Sequence, residues 1–492
     1  MSIVFRHPGR LDAKKPAFPY QIQAVEAVRD LPYAAIFHEP GLGKTKIAVD
    51  LMLYWLVKGR VDTVLIVTKK QLVANWIGEL QDHTFLRPRV LNADKKNNFF
   101  VLNGTARVIV TNFETISTEK TRILLFAKTR KIGVIIDEST KIKNPCSQLS
   151  QDFFELSPFC VAKVIMTGTP VANRPYDIWA QVFFLDQGKS LGTDFKAFKH
   201  QTDLSNNLSL DPVASAEFED AVSSIFDRIR NFSIRETKKT AGIVLPDKIY
   251  ETIAAEMEPV QRAIYDTVVQ DLRLEVVRDG SLVLDDDSAA LKRLLRLDQI
   301  ASNPKLVDER YDNVSCKERL LDDLLAKIVS AGEKCIVWSC FIENVDWFWK
   351  KYVQYKPKRI HGKLSMFDRD KAVKTFKTDP ECKVLFATPQ AAKEGLTLTV
   401  ANHVVFYDRG FNLDDYLQAQ DRIHRISQKK VCHVYNLMAN DSIDLWIDQL
   451  LAAKQRAAFL AQGDMKREDY TKVADYSYGD LIRQILSGGG NT

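Results

Sequence analysis

The chain has few of the features that would place it outside a reducing compartment. Its seven cysteines, at 146, 160, 316, 335, 340, 382 and 432, form no Cys-x-x-Cys pair and no metal-ligand spacing, which argues against a disulfide framework and a structural zinc. No apolar run approaches the length a bilayer span needs, and residues 1–8 lack the apolar core of a secretory leader, so no membrane association is expected. There is no fixed short repeat, and only the tail at 487–492 has an unstructured composition. Net charge is a modest +6, compatible with a polyanionic partner without demanding one. What is present is length: 492 residues, 46% of them apolar, enough for two or three domains.

Short β-branched runs at 34–38, 63–67, 107–111, 132–136 and 162–166 alternate with helical patterns. Near-continuous apolar strands at this spacing predict a parallel sheet covered on both faces. From about 186 to 310 the sequence reads mostly as helices and loops, broken by Leu245-Pro246, Glu258-Pro259 and an acidic turn at 285–288. Strands resume at 334–339, 383–388, 403–407 and 431–437. The expected fold class is therefore α/β, two parallel-sheet lobes with helical protrusions inserted between them. The expected boundaries are 1–185 for the N-terminal lobe, 186–316 for the protrusions, 317–450 for the C-terminal lobe and 451–492 for a helical tail.

Glu39, Pro40, Gly41, Leu42, Gly43, Lys44 and Thr45 stand between an apolar strand and a helical pattern. That is the context of a phosphate loop: glycines let backbone N–H groups approach phosphate oxygens, the helix N-terminus favours anions, Lys44 reaches the terminal phosphates and Thr45 can hold Mg²⁺. Glu39 occupies the place of the first glycine in GxxxxGK[ST]. After the 132–136 strand, Asp137 can complete a Mg²⁺ shell, and Glu138 can orient and activate the water attacking the γ-phosphate of ATP. In the second lobe Arg422 and Arg425, three apart after Gln418, are expected on one helical face, presenting two guanidiniums to one phosphate. Closure of the lobes on ATP would bring both to the γ-phosphate. Alone, an Asp-Glu pair is as readily a helix N-cap and QxxxRxxR an amphipathic surface helix; the combination decides for nucleotide chemistry.

In order, these motifs resemble the superfamily-two helicase core, and specifically the Swi/Snf-type (Snf2-like) ATP-dependent DNA translocases. Gln21, in Phe18-Pro19-Tyr20-Gln21, resembles the adenine-recognising glutamine. The phosphate loop and Asp137-Glu138 resemble motifs I and II; 68–72 with Asn75-Trp76, motif Ia; 111–114, motif Ib; and Thr167-Gly168-Thr169-Pro170-Val171-Ala172-Asn173, motif III. In the second lobe 336–339, 388–398 and 418–428 resemble motifs IV, V and VI. Lys141-Ile142-Lys143-Asn144, Arg235 with Lys238-Lys239, Asn303-Pro304-Lys305-Leu306 and the ending of motif VI are typical of this subfamily. The resemblance covers about 16–450 and implies two RecA-like lobes, ATP with Mg²⁺, and tracking along double-stranded or branched DNA without a strand-separating wedge. Gly395 and Gln418 are expected at the nucleotide. Departures are His38 where the family usually has Asp, Lys393-Glu394 before the Gly395-Leu396 step, and Ser139-Thr140 where Ala-His is usual. With that histidine missing, Thr140 is expected to make the link to motif III.

A tracking motor grips the phosphate backbone and ignores base edges. The expected DNA contacts are Thr68, Lys69, Lys70, Thr111, Asn112, Thr169, Asn173, Ser339, Gly362, Lys363, Thr388 and Gln390, with Arg228, Arg230, Arg235, Lys238 and Lys239 as further basic candidates. Trp76 and Trp338, amid apolar patterns, are expected in the core or a lobe interface. His424 is expected on the motif VI helix face and His361 in a turn. The alternatives are a strand-separating helicase on forks or RNA, and a non-catalytic ATP-dependent clamp. No chromatin-reading, zinc or nuclease module is visible, so a monomer in the cytoplasm of a bacterial or virus-infected cell is expected, a nucleus being the other compartment compatible with the composition.

Overall fold

The computed structural model describes residues 10–171, 173–203, 212–279, 288–391 and 396–473. The chain divides into two compact units, the first built from Met1–Asn207, Val213–Val244 and Arg456–Thr471, the second mainly from Leu245–Gln455. Among the described residues no helix is long and apolar enough to cross a membrane.

The first unit is organised by a seven-stranded sheet, β3-β4-β2-β5-β6-β1-β7. Its strands are β1 (Tyr33–Ile36), β2 (Thr63–Thr68), β3 (Arg89–Val90), β4 (Val108–Asn112), β5 (Ile132–Asp137), β6 (Cys160–Met166) and β7 (Ser233–Ile234). All its pairings are parallel. The β-branched runs are buried because helices cover both faces of the sheet. On one face α1 (Pro19–Val28), α2 (Lys44–Val57) and α3 (Val73–His83) pack Met52, Trp55, Trp76 and Leu80 against Val64, Ile66, Val108 and Ile135. Register aligns the strand ends: Met166 of β6 lies opposite both Ile36 of β1 and Asp137 of β5.

The second unit carries a six-stranded sheet, β10-β11-β9-β12-β13-β8. Its strands are β8 (Lys248–Ala255), β9 (Cys335–Trp338), β10 (Lys358–Ile360), β11 (Val384–Ala387), β12 (His403–Phe406) and β13 (Cys432–Ala439), again paired in parallel. Both units are thus parallel-sheet α/β lobes, the expected fold class. The stretch expected to be mostly helices and loops also supplies one edge strand to each sheet, β7 and β8. β8 pairs with β13 over its whole length, yet much of it is exposed; as an edge strand it lacks the buried run that marks the others.

Candidate functional site

Four neighbouring strands, β2, β5, β6 and β1 in sheet order, end at one edge of the first sheet. They deliver Lys69, then Asp137 with Glu138, then residues 167–170, then the loop running from Glu39 to Lys44. The carboxyl edge of a parallel sheet is where such folds bind ligands.

The loop owes its shape to glycine. Gly41 (φ 93°) and Gly43 (φ 69°) adopt left-handed backbone, which costs a side-chain-bearing residue about 1–2 kcal/mol. A Cβ on Gly43 would also run into Gln21 Nε2. Gln21 is buried, and its Oε1 accepts from Phe18 N at 2.9 Å while its Nε2 donates to Leu42 O at 3.2 Å. Besides its expected place at adenine, Gln21 therefore caps α1 and tethers the phosphate loop; each terminal atom has capacity for one further hydrogen bond. Gly43 caps α2, so Lys44 and Thr45 open that helix at the end of the loop, and a helix N-terminus favours anions. Lys44 Nζ donates to the loop's own carbonyls, His38 O at 2.9 Å and Glu39 O at 3.3 Å.

Glu39, in place of the first glycine, has a role that sequence reading missed. Its Oε2 accepts from Lys238 N at 2.8 Å, and its own N–H donates to Glu236 O at 2.9 Å, fastening the turn after β7 to the loop. Arg235, a candidate DNA contact, is instead spent within this unit: Nη1 donates to Phe37 O at 2.9 Å and Nε to Asp464 Oδ1 at 2.8 Å. His38 is fully buried. Burial first, then the Lys44 charge, push its imidazole from 6.5 down to about 4, against a hydrogen bond with the Ile234 backbone.

Asp137 sits at the end of β5, where Trp76 Nε1 (2.8 Å) and Thr68 Oγ1 (3.1 Å) both donate to its Oδ2. Burial and then the Glu138 charge raise its carboxyl above the ordinary range, and the two hydrogen bonds and Lys44 oppose them. With Oδ2 held from two sides, the orientation of Oδ1 is fixed. Trp76 is in the core as expected, but it also aims the acid. Glu138 follows in left-handed backbone (φ 56°), a conformation costing a non-glycine residue on the order of 1–3 kcal/mol and concentrated at functional sites. Lys69 Nζ lies 3.7 Å from its Oε2.

The expected link through Thr140 is replaced by its neighbour. Ser139 Oγ donates to Gln181 Oε1 at 2.7 Å, and Gln181 Nε2 donates to Pro170 O at 3.0 Å and Asp177 O at 2.9 Å. Gln181, on the helix Ile178–Asp186, has no exposed surface and so joins the acidic turn to the 167–170 loop. On its other side that loop meets the phosphate loop, since a Cβ on Gly168 would stand 2.7 Å from Pro40 Cγ. A polar residue in the apolar run IWAQVFFL was the available signal.

The sequence expectations for DNA contacts divide. The Thr68, Thr111 and Ser339 hydroxyls are buried and bonded internally, to Asp137, to Leu91 O (3.3 Å) and to Asp408 Oδ2 (2.6 Å). Asn112 Oδ1 caps the helix Phe113–Thr118 through Thr115 N, and Thr388 is buried. At these strand ends the side chains of Thr68, Thr111, Asn112 and Ser339 therefore have partners within the fold. Lys70, Gly362, Lys363 and Gln390 are exposed, and Lys69, Thr169 and Asn173 half-buried. Lys363 Nζ pairs with Glu343 Oε1 at 3.4 Å on the surface.

In the second unit the helix bearing Gln418 runs Leu413–Gln420 and stops. Residues 421–427 are turns, so Arg422 and Arg425 do not share a helical face. Leu398 N takes the Arg422 carbonyl at 2.9 Å, and Gln428 Nε2 donates to Ala401 O and Ile423 O, each at 2.9 Å. Both guanidiniums nonetheless turn to one segment: Arg422 Nη1 to Leu396 O (3.4 Å) and Arg425 Nη1 to Thr397 Oγ1 (2.8 Å). Gln418 is buried and donates to Asp414 Oδ1 at 2.8 Å. His424 faces Pro246 O at 2.9 Å from a turn, not a helix face, and His361 Nε2 lies 3.0 Å from Asp346 Oδ1. Gly395 lies outside the described residues.

A glycine cradle in which a Cβ on Gly43 would meet Gln21, a helix N-terminus, an ammonium and an aimed, half-buried carboxylate at one sheet edge define a P-loop α/β protein, and they fit a nucleoside triphosphate with its divalent cation. Residues 20–306 match the family model of the SNF2-related domain, and 316–427 that of the helicase conserved C-terminal domain. The chain belongs to the SNF2-related family. It is 27% identical to an uncharacterized ATP-dependent helicase of Mycoplasma pneumoniae (89% of this chain, 41% of that protein). It is 25% identical to the transcription regulatory protein SNF2 of Saccharomyces cerevisiae (82% and 25%), and 27% identical to the putative ATP-dependent helicase/translocase YwqA of Bacillus subtilis (86% and 46%). The chain thus spans between a quarter and just under half of these relatives' lengths. A solved structure of the Sulfolobus solfataricus SWI2/SNF2 ATPase core in complex with dsDNA is 24% identical, covering 98% of this chain and 99% of that one with a TM-score of 0.43.

Proposed function

We propose that this chain is a DNA-stimulated ATPase that couples ATP hydrolysis to tracking along double-stranded or branched DNA. The observation that carries the reading is the row of strand ends that sets the phosphate loop, residues 167–170 and the acidic pair side by side. Relatives named as ATP-dependent helicases and a helicase/translocase support it. Magnesium, when bound, neutralises charge across the terminal phosphates. Thr45 and Asp137 would hold it, and Gln21 would hold the adenine. Gly41, Leu42, Gly43 and Lys44 bind the phosphates through backbone N–H groups and one ammonium. Trp76 and Thr68 keep Asp137 in one rotamer. Glu138 accepts a proton from the water it orients. From the second unit, Arg422 and Arg425 supply positive charge to the transition state, with Gln418 and Gly395 contributing to nucleotide binding. Lys70, Lys363 and Gln390 meet the DNA backbone. The protein works as a monomer in the cytoplasm, remodelling DNA by branch migration, annealing or protein displacement.

The test is steady-state ATPase with single-stranded, duplex, forked and four-way DNA, with third-strand displacement from a triplex reporting movement. Duplex stimulation and triplex displacement are expected, both abolished by Lys44→Ala and by Glu138→Gln. An undiminished hydrolysis rate in either variant, or no stimulation by any duplex-containing DNA, overturns the reading.

A further inference from the structure

The segment following β2 touches both members of the acidic pair. Thr68 and Trp76 hold Asp137, and Lys69 Nζ stands 3.7 Å from Glu138 Oε2, with side-chain exposures of 15% and 25%. Glu138 has no freedom to escape this neighbour through its backbone. Its left-handed main chain is fixed on one side by β5 and on the other by Ser139, whose hydroxyl is locked to buried Gln181. An ammonium at this distance competes with a water molecule for the carboxylate oxygen that must accept the water's proton. It is also only half-buried, and the next residue, Lys70, is exposed at the same strand end. A polyanion lying along this edge would be drawn to both lysines.

We infer that Lys69 is a positioning residue that restrains Glu138 in the free protein and is drawn off it by a nucleic-acid phosphate, so that DNA binding releases the water-activating carboxylate. The inference rests on the function proposed above and adds the means of stimulation. No new bond is made or broken: one ion pair, Lys69 with Glu138, is exchanged for another, Lys69 with a phosphate diester. The release is local, because only the side chain of Glu138 is held by Lys69 while its backbone is held by Ser139 and β5. The pair stands at 3.7 Å, longer than a hydrogen bond, and is partly shielded from solvent, so a phosphate delivered at high local concentration by DNA binding can draw the ammonium away.

The experiment compares the full-length wild type with Lys69→Gln and Lys69→Arg by steady-state ATPase, with and without a duplex. Without DNA, Lys69→Gln is expected to hydrolyse ATP about three- to tenfold faster than wild type, with KM for ATP within twofold. Its DNA-saturated rate stays near that of wild type, so its stimulation ratio collapses. Lys69→Arg keeps the cation and the wild-type ratio. A purely structural lysine would lower both rates together, and a lysine that only grips DNA would raise the DNA concentration needed without moving the DNA-free rate; either result overturns the inference. Thermal unfolding is followed in parallel, and Lys69→Met, which keeps the aliphatic stem, replaces the glutamine variant should that one unfold. If wild type hydrolyses ATP and duplex accelerates it while the variants keep the wild-type DNA-free rate, the proposed function stands and the Lys69 restraint falls. If wild type itself is not stimulated by duplex, both fall.

Discussion

Gly168→Ala adds one methyl group in a place that has no room for it. The new Cβ would stand 2.7 Å from Pro40 Cγ and 2.8 Å from Pro40 Cδ, whereas ordinary carbon contacts lie at about 3.5–4.0 Å. Roughly 1 Å of separation must be found. Pro40 cannot give it by changing rotamer, because its ring is part of the phosphate-loop backbone and its φ is fixed. The 167–170 loop cannot give it freely either, since Pro170 O is bonded to fully buried Gln181. Forcing a methyl group into packing of this kind costs about 1–3 kcal/mol, and each kcal/mol lowers the melting temperature of a unit this size by about 2–4 °C. The displaced Pro40 carries Gly41 with it, so KM for ATP should rise as well. Urea melts and steady-state ATPase read both effects. Gly78→Ala is the control: exposed in α3 with nothing within 4 Å of the added Cβ, it should stabilise by about 0.5–1 kcal/mol as a helix substitution. A Gly168→Ala protein with an unchanged midpoint and unchanged KM refutes the steric argument.

His38 should make the protein acid-sensitive. Its imidazole is held at about 4 against an ordinary 6.5, so between these values the unfolded chain binds a proton that the folded one does not. Stability therefore falls as pH drops from 6.5 towards 4, by about 1.4 kcal/mol per pH unit and about 3 kcal/mol in all; urea midpoints at pH 7.5 and 5.0 should show a steeper loss in wild type than in His38→Gln. Gln181→Leu strands the buried Ser139 hydroxyl and should cost about 1–3 kcal/mol while lowering kcat more than it changes KM; equal stability and kcat would dismiss the bridge. Arg425→Ala should lower kcat about a thousandfold if it supplies transition-state charge, with binding of a fluorescent ATP analogue to the variant separating chemistry from affinity.

The strands were legible because burial on both faces writes a continuous β-branched run into the sequence, as in Val64-Leu65-Ile66-Val67 and Val134-Ile135-Ile136, and each such run became a strand. The glycine loop was legible because left-handed backbone at Gly41 and Gly43 admits almost no other residue. What the sequence did not reveal are partners far apart along it: Trp76 with Asp137, Gln181 with Ser139, Glu39 with Lys238, each joined by one hydrogen bond with no periodic signature. β7 and β8 escaped for a related reason, since an edge strand buries too little to show a run, although Ile249, Tyr250, Thr252 and Ile253 are strand-forming residues between prolines at 246 and 259.

The helix end at Gln420 is a more instructive failure. Residues 421–428 have the spacing of a helix, and a helix would form if the carbonyl of Arg422 accepted from Ile426, four residues on. That carbonyl is taken instead by Leu398 N, and Gln428 reaches back to Ala401. Two long-range bonds outweigh the modest propensity of one turn, because helical propensity contributes only tenths of a kcal/mol per residue whereas a buried bond left unmade costs about 1–3 kcal/mol. The consequence is functional. Arg422 and Arg425 are aimed by the 396–401 segment and not by a helix axis, so substitutions there should affect the arginines as strongly as changes beside them in sequence. Thr397→Val, which removes the hydroxyl that Arg425 Nη1 contacts at 2.8 Å while keeping its shape, should lower kcat with little change in stability. An unchanged kcat in that variant would mean that the arginine is oriented without Thr397, by its remaining bonds, among them the one to Asp421 O at 3.1 Å.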